Sequence, residues 1–231
     1  MSQFHRLHLA LVITLALIAP ATFAGEGDWT VRIHGQWISS SGSAFGGEDF
    51  DEGAGLYVGF ERRLNNRWGL EFGIGQAELE ANQQLSVDFL GLSFVTDVEA
   101  SLEWMPVTLG ANYHLTPGRG VDVFLGPRVG YAFVDDLQID TRVDLGGLPS
   151  LPGLPIFIDF PPLDLPAQST TVRTDDVFLY GLRLGLDWPL GDHGWGLSGA
   201  IDYTVMELEL EDTAAADLDP FTVAFGFSKS W

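Results

Sequence analysis

The sequence predicts an all-β fold: an eight-stranded antiparallel transmembrane β-barrel, an up-and-down meander, after a cleaved signal peptide. Three observations predict it. Eight segments alternate apolar side chains with glycine or polar ones, as strands do when they face lipid on one side and a lumen on the other. Tight turns and long acidic connections alternate between these segments. After residue 24, no apolar run approaches the roughly 20 residues that a membrane-spanning helix needs.

The amino terminus predicts export from the cytoplasm. Arg6 precedes an apolar run over 9–19, and small residues follow up to Ala24. This order is that of a secretory signal peptide, with cleavage after Ala24. A membrane anchor is the alternative, but the run is shorter than the roughly 20 residues of a spanning helix. We therefore expect residues 1–24 to be the signal peptide and 25–231 to form one barrel domain.

The composition excludes several classes of protein. The chain has 11 basic and 32 acidic residues, and this net charge of −21 argues against nucleic acid as a partner. It is nevertheless 46% hydrophobic with 16 phenylalanines, unlike an acidic disordered chain. Cysteine is absent, so disulfides cannot stabilise the fold. We expect the outer membrane of a Gram-negative cell as its location, and the lipid of that membrane, including lipopolysaccharide, as a partner.

Each predicted strand separates an outward apolar set from an inward set. The first strand, about 29–38, has Trp29, Val31, Ile33 and Trp37 on one face and Thr30, Arg32, His34 and Gln36 on the other. The other seven predicted strands show the same alternation with a period of two residues. They lie at about 54–64, 67–77, 102–115, 121–134, 176–189, 194–207 and 220–231. Each is close to the roughly 9–11 residues with which a tilted strand crosses a bilayer.

The connections predict which end of the barrel faces the cell surface. Tight turns are expected at 65–66, 116–120 and 191–194, and long acidic loops at about 39–53, 78–98, 135–175 and 208–219. Short periplasmic turns and long surface loops are typical of outer-membrane barrels. A soluble β-sandwich is the alternative, but its outward face would be polar.

The inward faces predict a charged lumen. Its candidate lining residues are Arg32, His34, Glu61, Arg63, Glu71, Asn112, Arg128, Arg183, Asp187 and Asp202. Four arginines against four carboxylates suggest mutual pairing, because isolated ions inside a small barrel would be costly. We expect Asp202 and Asp187 to hold Arg128 and Arg183. Two interpretations remain open: an ion-pair network that plugs the barrel, or a polar constriction through which a solute passes.

The long connection at 135–175 contains a proline-rich apolar insertion at 148–166. Its apolar residues include Leu151, Leu154, Ile156 and Phe157. Exposed apolar surface often marks a binding site, so the insertion could be a lid for an apolar ligand; a variable loop and a protein-contact loop are the alternatives. Pro127, on the strand before this loop, has no N–H to give to the fourth or sixth strand. We expect a weakened ladder there, either a lateral exit into lipid or a tolerated β-bulge.

Three stretches resemble the OmpW family of small outer-membrane barrels. They are Met105–Leu115 (MPVTLGANYHL), Val123–Tyr131 (VFLGPRVGY), and the stretch from Leu184 through Asp202-Tyr203 to Asp219-Pro220. The resemblance covers a little under half of the mature chain. Two features depart from the family pattern: the chain ends in Trp231 where the family usually has Phe, and Lys229 occupies an aromatic or apolar position of the terminal insertion signal. The insertion at 148–166 is not associated with the family either.

The resemblance implies a narrow channel or uptake route whose solutes are small hydrophobic molecules. The terminal strand ending in Trp231 resembles the signal that outer-membrane assembly machinery binds. We predict no enzymatic activity, no cofactor and no metal site. A barrel without transport, serving structure or surface interaction, is the alternative. A lipid-modifying barrel enzyme is a third hypothesis, and it would need a nucleophile, a base and a carboxylate such as Ser198, His34 and Asp202.

Overall fold

The computed structural model describes residues 29–40, 43–45, 48–49, 52–89, 92–118, 120–145, 163–164, 167–208 and 216–231. The predicted signal peptide, 1–24, lies outside the described residues, and so do Leu151, Leu154, Ile156 and Phe157 of the candidate lid. Every described element is a β-strand, which confirms the predicted all-β class. Within the described ranges, no helix has the length and apolar character to cross a membrane.

Eight long antiparallel strands form the barrel. They are β1 (Trp29–Ser40), β2 (Gly53–Arg63), β3 (Trp68–Phe89), β4 (Leu92–His114), β5 (Asp122–Val134), β6 (Val177–Pro189), β7 (Trp195–Leu208) and β8 (Pro220–Ser230). Each strand pairs with the next, and β1 pairs with β8, so the ring is closed. Closure leaves no strand edge facing lipid, where an unpaired backbone group would be costly. The predicted eight-stranded meander is confirmed.

The predicted tight turns lie at the end of the barrel where β1 begins and β8 ends. There the backbone N–H of Trp231 donates to the carbonyl of Trp29 at 3.1 Å. In the turn between β4 and β5, Gly118 and Gly120 have φ of 71° and 87°. Glycine adopts this left-handed conformation without the steric cost of a Cβ. We call this the periplasmic end.

The hairpin of β3 and β4 extends beyond the ring, and this corrects the predicted loop at 78–98. Above the barrel its ladder runs unbroken to the pair Phe89–Leu92. The period of two continues with it, since Leu79 and Leu102 are 0% and 1% exposed. Burial of these side chains and the cross-strand pairing stabilise strands longer than the bilayer requires.

The predicted loop at 135–175 also contains strand. Leu137–Leu145 pairs with β4 above the ring, and Gln168–Val172 pairs in turn with Leu137–Leu145. β4 therefore pairs with β5 inside the ring and with Leu137–Leu145 beyond it, which keeps its backbone groups hydrogen-bonded as it projects. The shorter pairs are Ser43–Phe45 with Glu48–Asp49, Leu163–Asp164 with Leu137–Leu145, and Ala216–Leu218 with β7.

The outer surface carries an apolar belt between two aromatic girdles. Trp188 and Trp195 lie near the periplasmic end, and Tyr180 and Tyr203 lie eight residues further along the same strands. All four are about half exposed. Eight residues of strand span roughly 26 Å, or roughly 20 Å along the membrane normal at a tilt of about 40°. This separation is close to the height of the apolar band of transmembrane barrels.

Pro127 interrupts one ladder of the barrel wall. The β5–β6 ladder passes through the pair Leu182–Pro127 without a break. On the other side, the β4–β5 ladder lacks the pairs that would join Ala111 and Asn112 to β5. Of the two neighbours expected for the weakened ladder, the structure therefore selects β4. The register is the same on both sides of the gap, so no residue is inserted and the site is not a β-bulge.

A second interruption, which the sequence analysis did not anticipate, lies at Pro106 on β4. The β3–β4 ladder lacks the pairs at Gly75 and Gln76, and the register again continues unchanged. Pro106 remains paired with Ala132 on its other side. Both prolines therefore weaken the wall on one side only, because each lacks the N–H that its neighbour would accept.

Candidate functional site

All ten predicted lumen residues lie inside the barrel. Eight are buried: Arg32, His34, Glu61, Glu71, Asn112, Arg128, Arg183 and Asp202. The side chains of Arg63 and Asp187 are 21% and 16% exposed. Such low exposure shows that side chains fill the barrel at this level, as expected for a ring of eight strands. We call one group of these residues the ion-pair layer: Arg32, Glu71, Arg128, Arg183, Asp187 and Asp202.

Glu71 on β3 is the centre of the ion-pair layer. Its Oε1 accepts hydrogen bonds from Tyr57 Oη at 2.6 Å, from Arg183 Nη1 at 2.9 Å and from Arg128 Nη2. Its Oε2 accepts hydrogen bonds from Arg32 Nη1 and Asn112 Nδ2, both at 3.0 Å. Three guanidinium groups, from β1, β5 and β6, therefore meet at one carboxylate. Charge-assisted hydrogen bonds of this kind offset the cost of removing the carboxylate from water.

Two further carboxylates balance the remaining charge of the arginines. Asp202 accepts from Arg183 Nε at 2.5 Å and Nη2 at 2.8 Å, and its Oδ1 lies 3.7 Å from Arg128 Nε. Asp187 instead pairs with Arg32, with Nη2 2.6 Å from Oδ2. The expected pairing is therefore right for Asp202 and wrong for Asp187. The reason is position along β6, since Asp187 lies nearer the periplasmic end than Arg183.

Tyr57 packs against the ion-pair layer and was not among the predicted site residues. The guanidinium carbons of Arg128 and Arg183 are 5.2 Å and 4.4 Å from its ring centroid. The ring occupies the space over Gly73, where a Cβ would overlap the phenol. A missing side chain on β3 thus makes room for a large one on β2. A glycine on one strand beside a large inward residue on the next was the feature of the sequence that could have indicated Tyr57.

Phe124 is a second large lumen residue that was missed. It is fully buried, its ring lies over Gly185, and the guanidinium carbon of Arg32 is 4.4 Å from the ring centroid. The alternation of β5 gives Phe124 the same inward phase as Arg128. Phe124 is apolar, so it does not stand out as a lumen residue on a face defined by its polar side chains.

His114 joins two carboxylates at the periplasmic end. Its Nδ1 is hydrogen-bonded to Asp122 Oδ2 at 2.9 Å, and its Nε2 lies 2.9 Å from Glu61 Oε1. Arg63 contacts the same two carboxylates. Of the two contacts, only the one from Nδ1 has hydrogen-bond geometry, and Nε2 approaches Glu61 without it. The predicted charge balance included neither His114 nor Asp122, whose charges cancel when the imidazole is protonated.

The residues of the enzyme hypothesis do not form the required chain of hydrogen bonds. His34 Nε2 and Ser198 Oγ are 2.9 Å apart. Asp202, however, uses both oxygens to accept from Arg183, and His34 Nδ1 has no hydrogen-bond partner among the residues that the structure describes. His34 and Ser198 are both 0% exposed. A nucleophile without access and without an oriented base is not a catalytic arrangement.

Above the ion-pair layer the interior becomes apolar. This upper apolar cluster consists of Ile38, Ala77, Leu79, Ala100, Leu102, Trp104, Ala132, Val134, Leu137, Val177, Leu179, Met206 and Leu218. Part of this cluster lies in the segments 78–98 and 135–175, which the sequence predicts to be loops. No strand, and therefore no inward face, was predicted for Leu79 and Leu137.

A cavity of about 60 Å³ lies between the upper apolar cluster and the ion-pair layer. Its apolar wall includes Ile38, Trp104, Leu179 and Met206, and its polar wall includes Tyr57, Thr108, Arg128, Arg183 and Asp202. Pro106 also lines it, so the cavity borders the interrupted β3–β4 ladder. The candidate functional site is therefore an apolar chamber whose floor is a layer of paired charges.

Comparison with known proteins gives a likeness of fold. No family model and no curated protein matches the chain. Among solved structures it is similar to the outer membrane protein OprG from Pseudomonas aeruginosa, with 17% identity, a TM-score of 0.55, and coverage of 89% of this chain and 96% of that one.

Two further structures are similar at lower TM-scores. Neisserial surface protein A is 11% identical with a TM-score of 0.46, over 88% of this chain and 97% of that one. Ail, the attachment invasion locus protein of Yersinia pestis, is 13% identical with a TM-score of 0.42, over 88% and 99%.

The closed ring, the girdled apolar belt and the likeness to OprG define the class: a small eight-stranded barrel of the outer-membrane type. The outer membrane, the location predicted from the sequence, is the location of this class. In this chain, a filled charged layer lies beneath an apolar chamber.

Proposed function

We propose that this protein belongs to the OmpW family and forms a narrow uptake route for small hydrophobic molecules. The observation that carries the proposal is the upper apolar cluster, which ends on a filled ion-pair layer. An apolar solute gains free energy when it leaves water for the upper cluster. To continue through the lumen it would have to displace Arg183 from Asp202 and Arg128 from Glu71, which is costly for buried pairs.

A lateral exit resolves this difficulty. The interruption at Pro106 borders the cavity, and the interruption at Pro127 lies beside Arg128 in the layer below. A ladder that lacks hydrogen bonds separates more easily than an intact one. In our proposal the solute leaves the cavity through one of these two gaps into lipid and bypasses the charged lower lumen.

The proposed partners follow from the surface and from the family resemblance. Outer-membrane lipid, including lipopolysaccharide, surrounds the apolar belt. In our proposal the segment at 148–166 collects apolar solutes, and the assembly machinery binds β8, which leads to Trp231. Membership of the OmpW family is supported by the three sequence stretches and by the barrel architecture.

Substitution of the two prolines tests the proposal. Pro106→Val and Pro127→Val each restore an N–H and should tighten one ladder, so the variant at the true exit should lower uptake of an apolar fluorescent probe. The measurement uses vesicles with lipopolysaccharide in the outer leaflet. Pro189→Val is the matched control, because Pro189 is exposed at the end of β6 and its pairing with Gly196 is intact. Unchanged uptake in the double variant would contradict a lateral exit.

A barrel without transport is the second candidate. The filled ion-pair layer favours it, because paired and buried charges serve as a plug as well as a floor. The two candidates differ in the vesicle measurement, since a structural or surface-interaction barrel accelerates no solute at all.

A further inference from the structure

Basic side chains at the periplasmic end of the barrel lie against aromatic rings. Arg62 on β2 lies over the ring of Trp29 on β1, with its guanidinium carbon 5.7 Å from the ring centroid. Arg67, in the tight turn between β2 and β3, lies over Tyr113 on β4 at 5.9 Å, and its Nη1 donates to Tyr113 Oη at 2.6 Å. A cation at such a distance is attracted to the electron-rich face of the ring, so both guanidinium groups are held at the level of the aromatic side chains.

Lys229 on β8 repeats this arrangement. Its amine lies 5.4 Å and 5.6 Å from the ring centroids of Trp195 and Trp231, and it donates to the backbone carbonyl of His193. The alternation of β8 turns Lys229 outward, because its neighbour Ser228 is buried. We call the three basic residues the basic arc: Arg62, Arg67 and Lys229.

The basic arc occupies one side of the barrel. Its cations and their aromatic rings belong to the run of strands from β7 through β8, β1, β2 and β3 to β4, which are consecutive in the closed ring. On the other side, the periplasmic ends of β5 and β6 carry the exposed apolar residues Val121, Trp188 and Leu190. Among the described residues, no arginine or lysine accompanies these three. Positive charge therefore lies along one side of this end only, as far as the structure describes it.

The described part of the barrel does not neutralise the basic arc. The salt bridges between described side chains join carboxylates of the lumen to Arg32, Arg63, Arg128, Arg183 and His114. Asp192 is exposed in the β6–β7 turn, and among the described residues neither it nor another carboxylate forms a salt bridge with the arc. A guanidinium group has five N–H donors and an ammonium group three, so Arg67 and Lys229 keep donors beyond those used on Tyr113 and His193.

The position of these donors selects their partner. Girdle rings lie at the headgroup level of a membrane, and arginine and lysine keep their charged groups at that level while their stems cover apolar surface. Lipid phosphates lie at the same level, and arginine binds phosphate through parallel N–H···O hydrogen bonds. The net charge of −21 does not oppose this, because exposed acids such as Glu80, Glu99 and Asp140 lie above the other end of the barrel.

We propose that the basic arc binds the phosphates of anionic phospholipids in the periplasmic leaflet, so that one side of the barrel retains these lipids in preference to zwitterionic ones. The phosphate of phosphatidylglycerol carries an uncompensated charge, whereas the ammonium group of phosphatidylethanolamine neutralises its own phosphate. Each basic residue at an anionic lipid surface favours binding about fivefold. Lipid retention at this end is independent of any transport through the chamber.

Competition between two lipids, followed by native mass spectrometry, tests the proposal. The folded protein in detergent is mixed with equal amounts of phosphatidylglycerol and phosphatidylethanolamine, and the bound lipids are counted. The wild type should retain phosphatidylglycerol in several-fold excess. Arg62→Gln combined with Arg67→Gln should remove most of this excess, and adding Lys229→Gln should remove the rest. The first combination leaves the terminal strand unchanged, so it tests the proposal even if the triple variant fails to fold.

Arg142→Gln combined with Arg173→Gln is the matched control, because both arginines are exposed above the other end of the barrel. It removes two positive charges, as the Arg62 and Arg67 variant does, and should leave the excess of phosphatidylglycerol unchanged. Equal retention of the two lipids by the wild type, or an equal loss of the excess in the control and arc variants, would overturn the proposal. An excess of inorganic phosphate should not displace the bound lipid; displacement would show a site for soluble anions and would also overturn it.

Discussion

Arg183 and Asp202 lie directly opposite each other on β6 and β7 and are joined by two hydrogen bonds of 2.5 Å and 2.8 Å. Both side chains are buried, and Arg183 also donates to Glu71 on β3. The pair therefore connects the barrel wall to the centre of the ion-pair layer. Water has little access to replace either partner, so the structure depends on the pair remaining intact.

The first prediction concerns this pair. Asp202→Ala should lower the free energy of unfolding by about 3–5 kcal/mol, because it leaves the Arg183 charge buried without its main partner. Urea unfolding in lipid vesicles measures the change. Asp192→Ala is the control, since Asp192 is exposed in the turn between β6 and β7 and should change stability by no more than roughly 0.5 kcal/mol. Equal, small effects of the two substitutions would mean that water screens the lumen charges.

Replacing both partners should cost less than removing one. Arg183→Leu combined with Asp202→Leu removes a charge of each sign, so no charge is left without its partner in this pair. The double variant should therefore be more stable than Asp202→Ala. A double variant that is less stable by the full sum of the single effects would show that the two residues act independently.

The second prediction concerns the space for Tyr57. Gly73→Ala places a methyl group where the Tyr57 ring lies, so it should displace the phenol from Glu71 and lower stability by about 1–3 kcal/mol. Urea unfolding again measures the change. Gly35→Ala is the matched control, because a Cβ there would meet only the carbonyl of Phe225, at 3.9 Å. Equal stability of the two variants would show that Tyr57 is not held against Gly73.

Sequence alone predicted the barrel because its physical cause is local. Lipid on one side and a filled lumen on the other impose a period of two, and Leu182, Arg183 and Leu184 show it within three positions. The same period located all ten predicted lumen residues. It failed above the barrel, where Leu79 and Leu137 continue the inward pattern into segments that are acidic enough to look like loops.

The ion pairs could not be predicted in detail because they depend on how the closed ring brings distant strands together. Arg32 and Asp187 are 155 residues apart and belong to strands that are not neighbours. Alternation places both inside, but it contains no information about their relative height. Glu71 was likewise one of four equivalent acids in the sequence, and only the assembled barrel makes it the common acceptor of three arginines.

The third prediction concerns the terminal strand. Deleting Trp231 should lower the yield of folded barrel from the assembly machinery, because β8 and its aromatic terminus resemble the insertion signal. Lys229 does not remove this resemblance, since its amine lies 5.4 Å and 5.6 Å from the ring centroids of Trp195 and Trp231, within the periplasmic girdle. Trp195→Ala is the control that removes a girdle ring and keeps the terminus. A folded yield that falls only with Trp195→Ala would contradict the signal.

The fourth prediction concerns the insertion in the long surface connection. Deleting 148–166 should reduce uptake of an apolar probe and leave ion conductance unchanged, because we propose that the apolar residues of this segment collect the solute. A length-matched variant with Leu151, Leu154, Ile156 and Phe157 changed to Ser should reproduce the loss, which separates apolar character from loop length. If uptake survives both changes and substitutions of Arg128 or Arg183 abolish it, solutes pass through the lumen.

We expect the apolar chamber to admit small uncharged solutes while the ion-pair layer blocks ions. The most direct measurement records both quantities in one preparation: influx of an apolar fluorescent probe and conductance of monovalent ions, in vesicles with lipopolysaccharide in the outer leaflet. The wild-type barrel should accelerate probe influx while ion conductance stays at the level of protein-free vesicles. Ion conductance above that level, with probe influx no faster than in protein-free vesicles, would show that ions and not apolar solutes pass the barrel.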